Sequence, residues 1–232
     1  KLPALFKLRD DFEKVMDERK PDCLITVDYP GFNMKLAKLA HEKGIPVVSY
    51  IAPSAWAWHK SRAKNVAKIV DRVACIFPFE YDVYKEAGAK VEFVGHPLVD
   101  IVKPSMTVNE ANAFAGKKEG RKLILLMPGS RLMEIEKMLP TLLEAAKIIQ
   151  KQLPEVDFVM PRAGTIPLNL LEEKIQASGL DVSITEGHNY DLFSVADLAL
   201  ATSGTVTLEA ALCGLGSVIV YRTNPLTYMS AK

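Results

Sequence analysis

Residues 123–140 read LILLMPGSRLMEIEKMLP, an apolar run followed by a short polar turn that contains an arginine. Residues 123–127 predict a buried strand, and the turn Pro128-Gly129-Ser130-Arg131 separates it from a helix. The helix is indicated by apolar residues that recur every three or four positions: Leu132, Ile135, Leu139, Leu142 and Ala146. Backbone N–H groups at such a helix start, beside a guanidinium, bind anions. Ser130 and Arg131 are therefore candidate anion-binding residues, although Ser130 as a plain helix N-cap with a solvated Arg131 explains the stretch equally well.

A second strand, turn and helix occur in residues 196–209, which read ADLALATSGTVTLE. Ser203, Gly204 and Thr205 are predicted at a helix start, where hydroxyls and free amides suit a phosphate. Glu209, one turn further in, is placed to accept hydrogen bonds from the vicinal hydroxyls of a ribose. The alternative is an N-cap at Ser203 or Thr205 and a solvated Glu209.

Short β-branched runs alternate with helical patterns along the whole chain, which is the βαβ rhythm of a parallel sheet. The rhythm restarts after Pro104, so we predict an α/β protein of two tandem, doubly wound, Rossmann-like domains, residues 1–103 and 104–232. Such sheets bind ligands at the carboxyl ends of their strands. The first domain opens on a helix and the second stops soon after a strand, so both are expected to be incomplete.

Composition excludes several classes of function. The chain has 232 residues, 49% of them hydrophobic, and a formal net charge of +1, which argues against a nucleic-acid partner. Cys23, Cys75 and Cys213 show no paired or metal-ligand spacing, which predicts buried, reduced thiols of a cytoplasmic protein. Neither a GxGxxG nor a GxxxxGK[ST] motif is found, which weakens the dehydrogenase and ATPase interpretations.

Several stretches together resemble lipid-A-disaccharide synthases. They are VDYPGFN, YIAPSAWAWHKSR, FPFE and VGHPLVD in the first half, and MPGSR followed by Glu134, ADLALATSGTVTLE and VYRTNPLT in the second. They occur in the family's order through nearly the whole chain. The family's N-terminal glycine-rich motif and its C-terminal end have no counterpart here.

The resemblance implies a GT-B fold and a glycosyltransferase. The reaction moves 2,3-diacylglucosamine from UDP to 2,3-diacylglucosamine 1-phosphate, which gives lipid A disaccharide 1-phosphate and UDP, without a metal or cofactor. In such folds the C-terminal domain holds the nucleotide sugar. Arg131 and the 203–205 helix start would then face the diphosphate from two sides, and Glu209 would hold the ribose. Tyr190 is expected either to stack on uracil or to pack in the core.

The first domain is expected to hold the acceptor and a catalytic base. Asp28 ends a predicted strand and is the candidate base, with plain capping of the next helix as the alternative. Many family members have an acidic residue where this chain has Gly31, which leaves the identity of the base open.

Substrates with acyl chains must be collected from a bilayer surface, so we expect a peripheral protein on the cytoplasmic face of the inner membrane of a Gram-negative-type bacterium. Residues 1–9 carry three basic and four large apolar residues and no acid, which suits a helix in a lipid interface, with Leu2, Leu5 and Phe6 among the acyl chains. A second basic stretch supplies Trp56, Trp58, Lys60 and Arg62 to an anionic membrane or to the acceptor. The alternative is that these residues belong to the core, to the acceptor cleft or to a solvated face. A homodimer is a further expectation.

The sequence is also compatible with two other functions. One is a different GT-B enzyme that acts on a UDP-sugar, such as a 2-epimerase or another hexosaminyltransferase. The other is a non-catalytic fragment that binds UDP or lipid.

Overall fold

Two compact units divide the chain, residues 1–99 and 100–232. The structure is a computed structural model that describes residues 2–55 and 61–222, without the side chains of residues 2 and 3. The division falls a few residues before the predicted boundary at 103/104, inside a short helix that follows Pro97. Within the described ranges, no helix is long and apolar enough to cross a bilayer.

The first unit is a parallel sheet with helices between its strands. Its elements in chain order are α1 (Leu2–Arg19), β1 (Leu24–Val27), α2 (Pro30–Glu42), β2 (Val47–Tyr50), α3 (Ser61–Ile69), β3 (Arg72–Cys75), α4 (Pro78–Glu86), β4 (Val91–Phe93) and α5 (Leu98–Ile101). The described strands pair in the order β1-β2-β3-β4, all parallel. This sheet therefore winds in a single direction, and its described strands contain no reversal.

The second unit is doubly wound, as predicted. Its elements are α6 (Val108–Ala115), β5 (Lys122–Met127), α7 (Leu132–Gln152), β6 (Val156–Arg162), α8 (Leu168–Ser178), β7 (Val182–Glu186), α9 (Asn189–Val195), β8 (Leu198–Thr202), α10 (Thr205–Leu212) and β9 (Ser217–Val220). The strand order is β7-β6-β5-β8-β9, so the winding direction reverses between β5 and β8. Parallel α/β sheets bind ligands outside the carboxyl ends of the strands at such a switch point.

Asp197 fixes the alignment of β5 and β8 at their amino ends. Its carboxylate accepts a hydrogen bond from the Leu123 N–H at 2.9 Å and pairs with Lys122 at 2.9 Å and Lys117 at 3.1 Å. Its own N–H donates to the Leu123 carbonyl at 2.8 Å. This double bridge sets the register Ile124↔Leu198, which continues to Met127↔Ala201 at the carboxyl end.

The apolar stripes of α7 and α1 are only partly buried. In α7, Ile135, Leu139, Leu142 and Ala146 are buried as predicted, but Leu132 in the first turn is 49% exposed. In α1, Leu5 and Met16 pack on the core of the first unit, whereas Leu8, Phe12 and Val15 are 39–44% exposed. Phe12 still meets Phe32 of α2 edge-on at 6.4 Å, so this second stripe borders α2 without being covered by it.

The prediction of three buried cysteines is wrong for Cys23. Cys75 is buried and Cys213 half-buried, and burial raises the pKa of both thiols. Cys23 lies just before β1, at the edge of the described sheet, and is exposed. An apolar sequence neighbourhood does not bury a residue at a sheet edge.

We expect Asp197→Asn to destabilise the protein in a pH-dependent way. Burial raises the pKa of Asp197, but the Leu123 N–H and the two lysines outweigh it and lower the pKa from 3.8 to about 2. A lowered pKa contributes stability that is complete above the unfolded value near 3.8 and is lost as the pH falls through about 2. At pH 7 the contribution is roughly 2 kcal/mol.

Urea denaturation at pH 7 and at pH 2 measures this contribution. The difference in unfolding free energy between the original chain and Asp197→Asn should shrink at the lower pH. Asp181→Asn is the matched control, because Asp181 is exposed and accepts no hydrogen bond from the described residues. An Asp197→Asn chain as stable as the control at pH 7 would contradict the bridge.

Candidate functional site

A cavity of about 340 Å³ lies at the switch point of the second unit. Its walls come from the loop after β5, the end of β6, the start of α9 and the loop between β8 and α10. The lining residues are Met127, Gly129, Ser130, Arg131, Glu134, Pro161, Ala163, Asn189, Phe193, Thr202, Ser203, Gly204, Thr205, Val206 and Glu209. All the residues that we predicted to bind UDP line this cavity, except Tyr190.

The start of α10 presents free backbone donors to the cavity. Gly204 precedes the first helical residue, and no side chain caps the helix. The N–H groups of Gly204, Thr205 and Val206 donate no hydrogen bond to any described residue, whereas Thr207 N–H bonds back to the Gly204 carbonyl at 3.1 Å. The alternative of a side-chain N-cap at Ser203 or Thr205 is therefore wrong. Three free donors and the positive end of the helix suit an anion.

The hydroxyl of Thr202 is a buried polar group in the wall of the cavity. Thr202 ends β8 and is only 3% exposed, and its Oγ1 has no hydrogen-bond partner among the described residues. A buried hydroxyl without a partner costs roughly 1–3 kcal/mol, so proteins usually satisfy such groups. Thr202 lines the cavity, but its Oγ1 has almost no accessible surface, so a ligand would meet this hydroxyl only after a small shift of the cavity wall. Apart from its place at the end of a strand, the sequence carries no signal for this residue.

The start of α7 differs from the prediction. Arg131, not Ser130, is the residue before the helix, so the N-cap alternative for Ser130 is also wrong. The N–H groups of Ser130 and Arg131 do not point to an empty anion site, because both donate to Oε2 of Glu134, at 3.0 and 3.2 Å. The charged group on this side of the cavity that remains accessible to a ligand is thus the Arg131 side chain, which is 81% exposed.

Glu209 is half-buried in the cavity wall and contacts Tyr190. The Tyr190 hydroxyl lies 3.4 Å from Glu209 Oε1. Burial and the nearby charge of Glu209 raise the pKa of Tyr190, so the phenol stays protonated and can donate. The Tyr190 ring packs against the core and meets Phe193 edge-on at 6.3 Å. Of its two predicted roles the geometry favours core packing, with Glu209 oriented by the hydroxyl.

Asp191, next to this tyrosine, ties α9 to the segment after Pro104. Its carboxylate is 3% exposed and accepts hydrogen bonds from the Ser105 and Met106 N–H groups at 2.6 and 2.7 Å. Burial raises the pKa of Asp191, but these bonds outweigh it and the net shift is downward. The start of α9, which supplies Asn189 and Phe193 to the cavity, is held in place by this anchor.

In the first unit, Asp28 lies at the carboxyl end of β1, in a strained turn. Asp28 and Tyr29 both have left-handed backbone angles, φ 49° and 43°, and so does Ile51 after the neighbouring β2, φ 54°. Non-glycine residues pay for this conformation, and such strain clusters at functional sites. Asp28 is exposed and does not cap α2, because Tyr29 occupies that position, so the capping alternative is wrong.

Two smaller cavities flank Gly31 at the start of α2. One, of about 310 Å³, is lined by Pro30, Gly31, Met34, Pro53, Arg62, Asn65, Val66 and Ile69. The other, of about 250 Å³, is lined by Leu5, Phe6, Arg9, Tyr29, Gly31, Phe32 and Lys35. A Cβ at Gly31 would meet no atom within 4 Å. The structure therefore brings Leu5 and Phe6 together and places Arg62 in the other cavity, and the Asp28 carboxylate lines neither.

The remaining predicted residues of the first unit fall outside the description. Trp56, Trp58 and Lys60 lie outside the described residues, and so does the side chain of Leu2.

Two motifs of the resemblance have structural explanations. Glu80 of FPFE accepts hydrogen bonds from the Ile76 and Phe77 N–H groups at the start of α4. His96 Nδ1 of VGHPLVD accepts a hydrogen bond from the Leu98 N–H.

Two α/β units, the second doubly wound with a cavity at its switch point, define a protein of the GT-B fold. A crystal structure of UDP-GlcNAc 2-epimerase from Neisseria meningitidis, bound to UDP-GlcNAc, has this fold with a TM-score of 0.67 and 17% identity, over 98% of this chain and 67% of that chain. At this identity the likeness shows the fold alone.

The chain belongs to the lipid-A-disaccharide synthase family, because the family model described as Lipid-A-disaccharide synthetase matches residues 1–232. It is 44% identical to the lipid-A-disaccharide synthase of Geobacter sulfurreducens over 94% of this chain, and 42% identical to that of Trichlorobacter lovleyi over 99%. The chain spans 57% and 59% of the length of these two relatives.

Proposed function

We propose that this chain carries the donor site of a lipid-A-disaccharide synthase and part of its acceptor site. The reaction would move 2,3-diacylglucosamine from UDP to 2,3-diacylglucosamine 1-phosphate and release UDP. The observation that carries the proposal is the cavity of the second unit, which brings together an exposed guanidinium, a helix start with three unbonded N–H groups and a half-buried carboxylate. Its support is the family membership, since the names of the relatives describe this activity.

Each group in the cavity suits one part of UDP. The N–H groups of Gly204, Thr205 and Val206 and the hydroxyls of Ser203 and Thr205 suit phosphate oxygens, and the Arg131 guanidinium suits the other side of the diphosphate. Glu209, oriented by Tyr190, suits the ribose hydroxyls. Negative charge grows on UDP as the glycosidic bond breaks, so fixed donors around the diphosphate lower the barrier. In this proposal no metal or cofactor is required.

The acceptor side is proposed on the first unit. Asp28 is the proposed base, supported by its place at the carboxyl end of β1 and by the strained turn that holds it. Asn33 Nδ2 donates to the Asp28 carbonyl at 2.8 Å and to the Val27 carbonyl at 3.1 Å, which fixes the backbone of this turn. The cavities beside Gly31 are lined by apolar side chains together with Arg9, Lys35 and Arg62, which suits a phosphorylated lipid.

A radiolabel assay with UDP-2,3-diacylglucosamine and the lipid acceptor tests the function. Disaccharide formation supports the proposal, and turnover of the UDP-sugar without lipid would instead indicate another UDP-sugar enzyme. Binding without turnover would indicate a non-catalytic fragment.

In Asp28→Asn we expect turnover to fall while UDP affinity is unchanged, and near-normal turnover would place the base elsewhere.

We expect Arg131→Ala to weaken UDP binding roughly ten- to a hundredfold, because it removes a charge-assisted hydrogen bond worth about 1.5–3 kcal/mol. Isothermal titration calorimetry measures the change. Lys137→Ala is the matched control, since Lys137 is an exposed cation of the same helix that does not line the cavity. Unchanged affinity in Arg131→Ala would remove Arg131 from the diphosphate site.

Peripheral binding to the cytoplasmic leaflet is proposed for α1. Its support is the exposed stripe of that helix: Phe6 is 50% exposed and lies 5.6 Å from Lys35 Nζ, so an aromatic ring and a cation share one surface. Leu5 contributes less than predicted from the sequence, because it packs on the core. A homodimer stays an expectation that gel filtration would test.

Sedimentation with anionic liposomes at low salt tests α1. Phe6→Ser should lower the partition coefficient onto the liposomes roughly tenfold. The reason is that burial of an aromatic side chain contributes about 1.5–3 kcal/mol. Val108→Ser, which removes an even more exposed apolar side chain in the second unit, 64% against 50% for Phe6, should pellet like the original chain. An original chain that stays in the supernatant, or a Phe6→Ser chain that pellets equally, would contradict the proposal.

A further inference from the structure

Glu134 holds the loop between β5 and α7 through three hydrogen bonds. Its Oε2 accepts from the N–H groups of Ser130 and Arg131, and its Oε1 accepts from Arg131 Nη1 at 2.9 Å. The side chain is 22% exposed, whereas that of Arg131 is 81% exposed. One carboxylate therefore fixes both the backbone of the loop and the direction of the arginine.

Gly129 is required by the same arrangement. Its φ is 117°, and a Cβ at this position would lie 2.6 Å from Glu134 Oε2 and 2.7 Å from Glu134 Cβ. Rotation of the Glu134 side chain does not move its Cβ, so the contact cannot be relieved by another rotamer. Gly129 is therefore required by the close approach of the first turn of α7, which brings the Glu134 side chain onto this loop.

We propose that Glu134 is a positioning residue for anion binding, and that it holds Arg131 in the orientation that meets the diphosphate. Nη1 is bonded to Glu134, and the other guanidinium N–H groups of Arg131 donate to no described residue, so they remain for a ligand. The proposal rests on the proposed UDP site. Glu134 thereby gains a role beyond its place in a sequence motif.

Two effects of Glu134 on anion binding have opposite signs. Its negative charge, in the wall of the cavity, repels a diphosphate. Its hydrogen bonds, in contrast, already restrict the Arg131 side chain, so that side chain loses less conformational entropy when a ligand binds. If Glu134 merely filled the amide site until a ligand displaced it, its removal would tighten binding. If it positions the arginine, its removal weakens binding, and the sign of the change separates the two.

Calorimetry with UDP and UMP on the 232-residue chain tests the proposal. We expect Glu134→Ala to weaken UDP binding by roughly tenfold and UMP binding by less, because Arg131 faces the diphosphate. Glu134→Gln keeps a carbonyl oxygen for the two backbone N–H groups, so it should recover part of the loss. Glu136→Ala, an exposed acid on the same helix that does not line the cavity, should bind like the original chain.

The outcomes separate the inference from the function on which it rests. An original chain that does not bind UDP overturns the proposed function, and the inference with it. An original chain that binds UDP while Glu134→Ala binds it equally or more tightly overturns the inference alone. Equal losses for UDP and UMP would show a general loosening and also overturn it. Near-ultraviolet circular dichroism establishes that the alanine variant is folded, and Glu134→Gln carries the test if it is not.

Discussion

The parallel pairing of β5 with β8 is the interaction on which the candidate site depends. These strands are neighbours in the sheet but are separated by two βα units in sequence, and their pairing brings the loops before α7 and α10 side by side. Asp197 secures the amino ends of the pair, so the cavity at the carboxyl ends inherits a fixed register. A slip of one residue would exchange the faces of β8 and turn Thr202 away from its present side.

The two helix starts at the cavity use their N–H groups in different ways. At α7 the N–H groups of Ser130 and Arg131 donate to Glu134, so the accessible charge on this side of the cavity is the guanidinium of Arg131. At α10 they are left free, next to the unpartnered Thr202 hydroxyl. The site therefore combines a rigid set of backbone donors with one cation on a long side chain. Such a division suits a diphosphate, because fixed dipoles stabilise developing charge without reorganisation and the arginine adds a full charge.

Much of this could be predicted from sequence. Strands buried on both sides, such as β5, read as continuous apolar runs, and both glycine turns marked helix starts, which explains why the fold and the placement of Ser203 to Glu209 were predicted. The hydrogen bonds that occupy the Ser130 and Arg131 N–H groups were not predicted, although a glutamate three residues after the residue before a helix is the usual signal of such a cap. Three features could not be predicted, because they depend on packing between elements and not on the periodicity of the sequence. They are the backbone angles at Asp28 and Tyr29, the exposed stripe of α1 and the unpartnered hydroxyl of Thr202.

UDP binding at the cavity formed by the loops after β5 and β8 can be followed residue by residue. The measurement is titration of UDP into the ¹⁵N-labelled chain, with amide chemical shifts recorded by NMR. We expect the largest shifts at Gly204, Thr205 and Val206, whose N–H groups are free, with smaller shifts around Arg131 and little change in the first unit. An absence of shifts with saturating UDP, or shifts concentrated in residues 1–99, would contradict it.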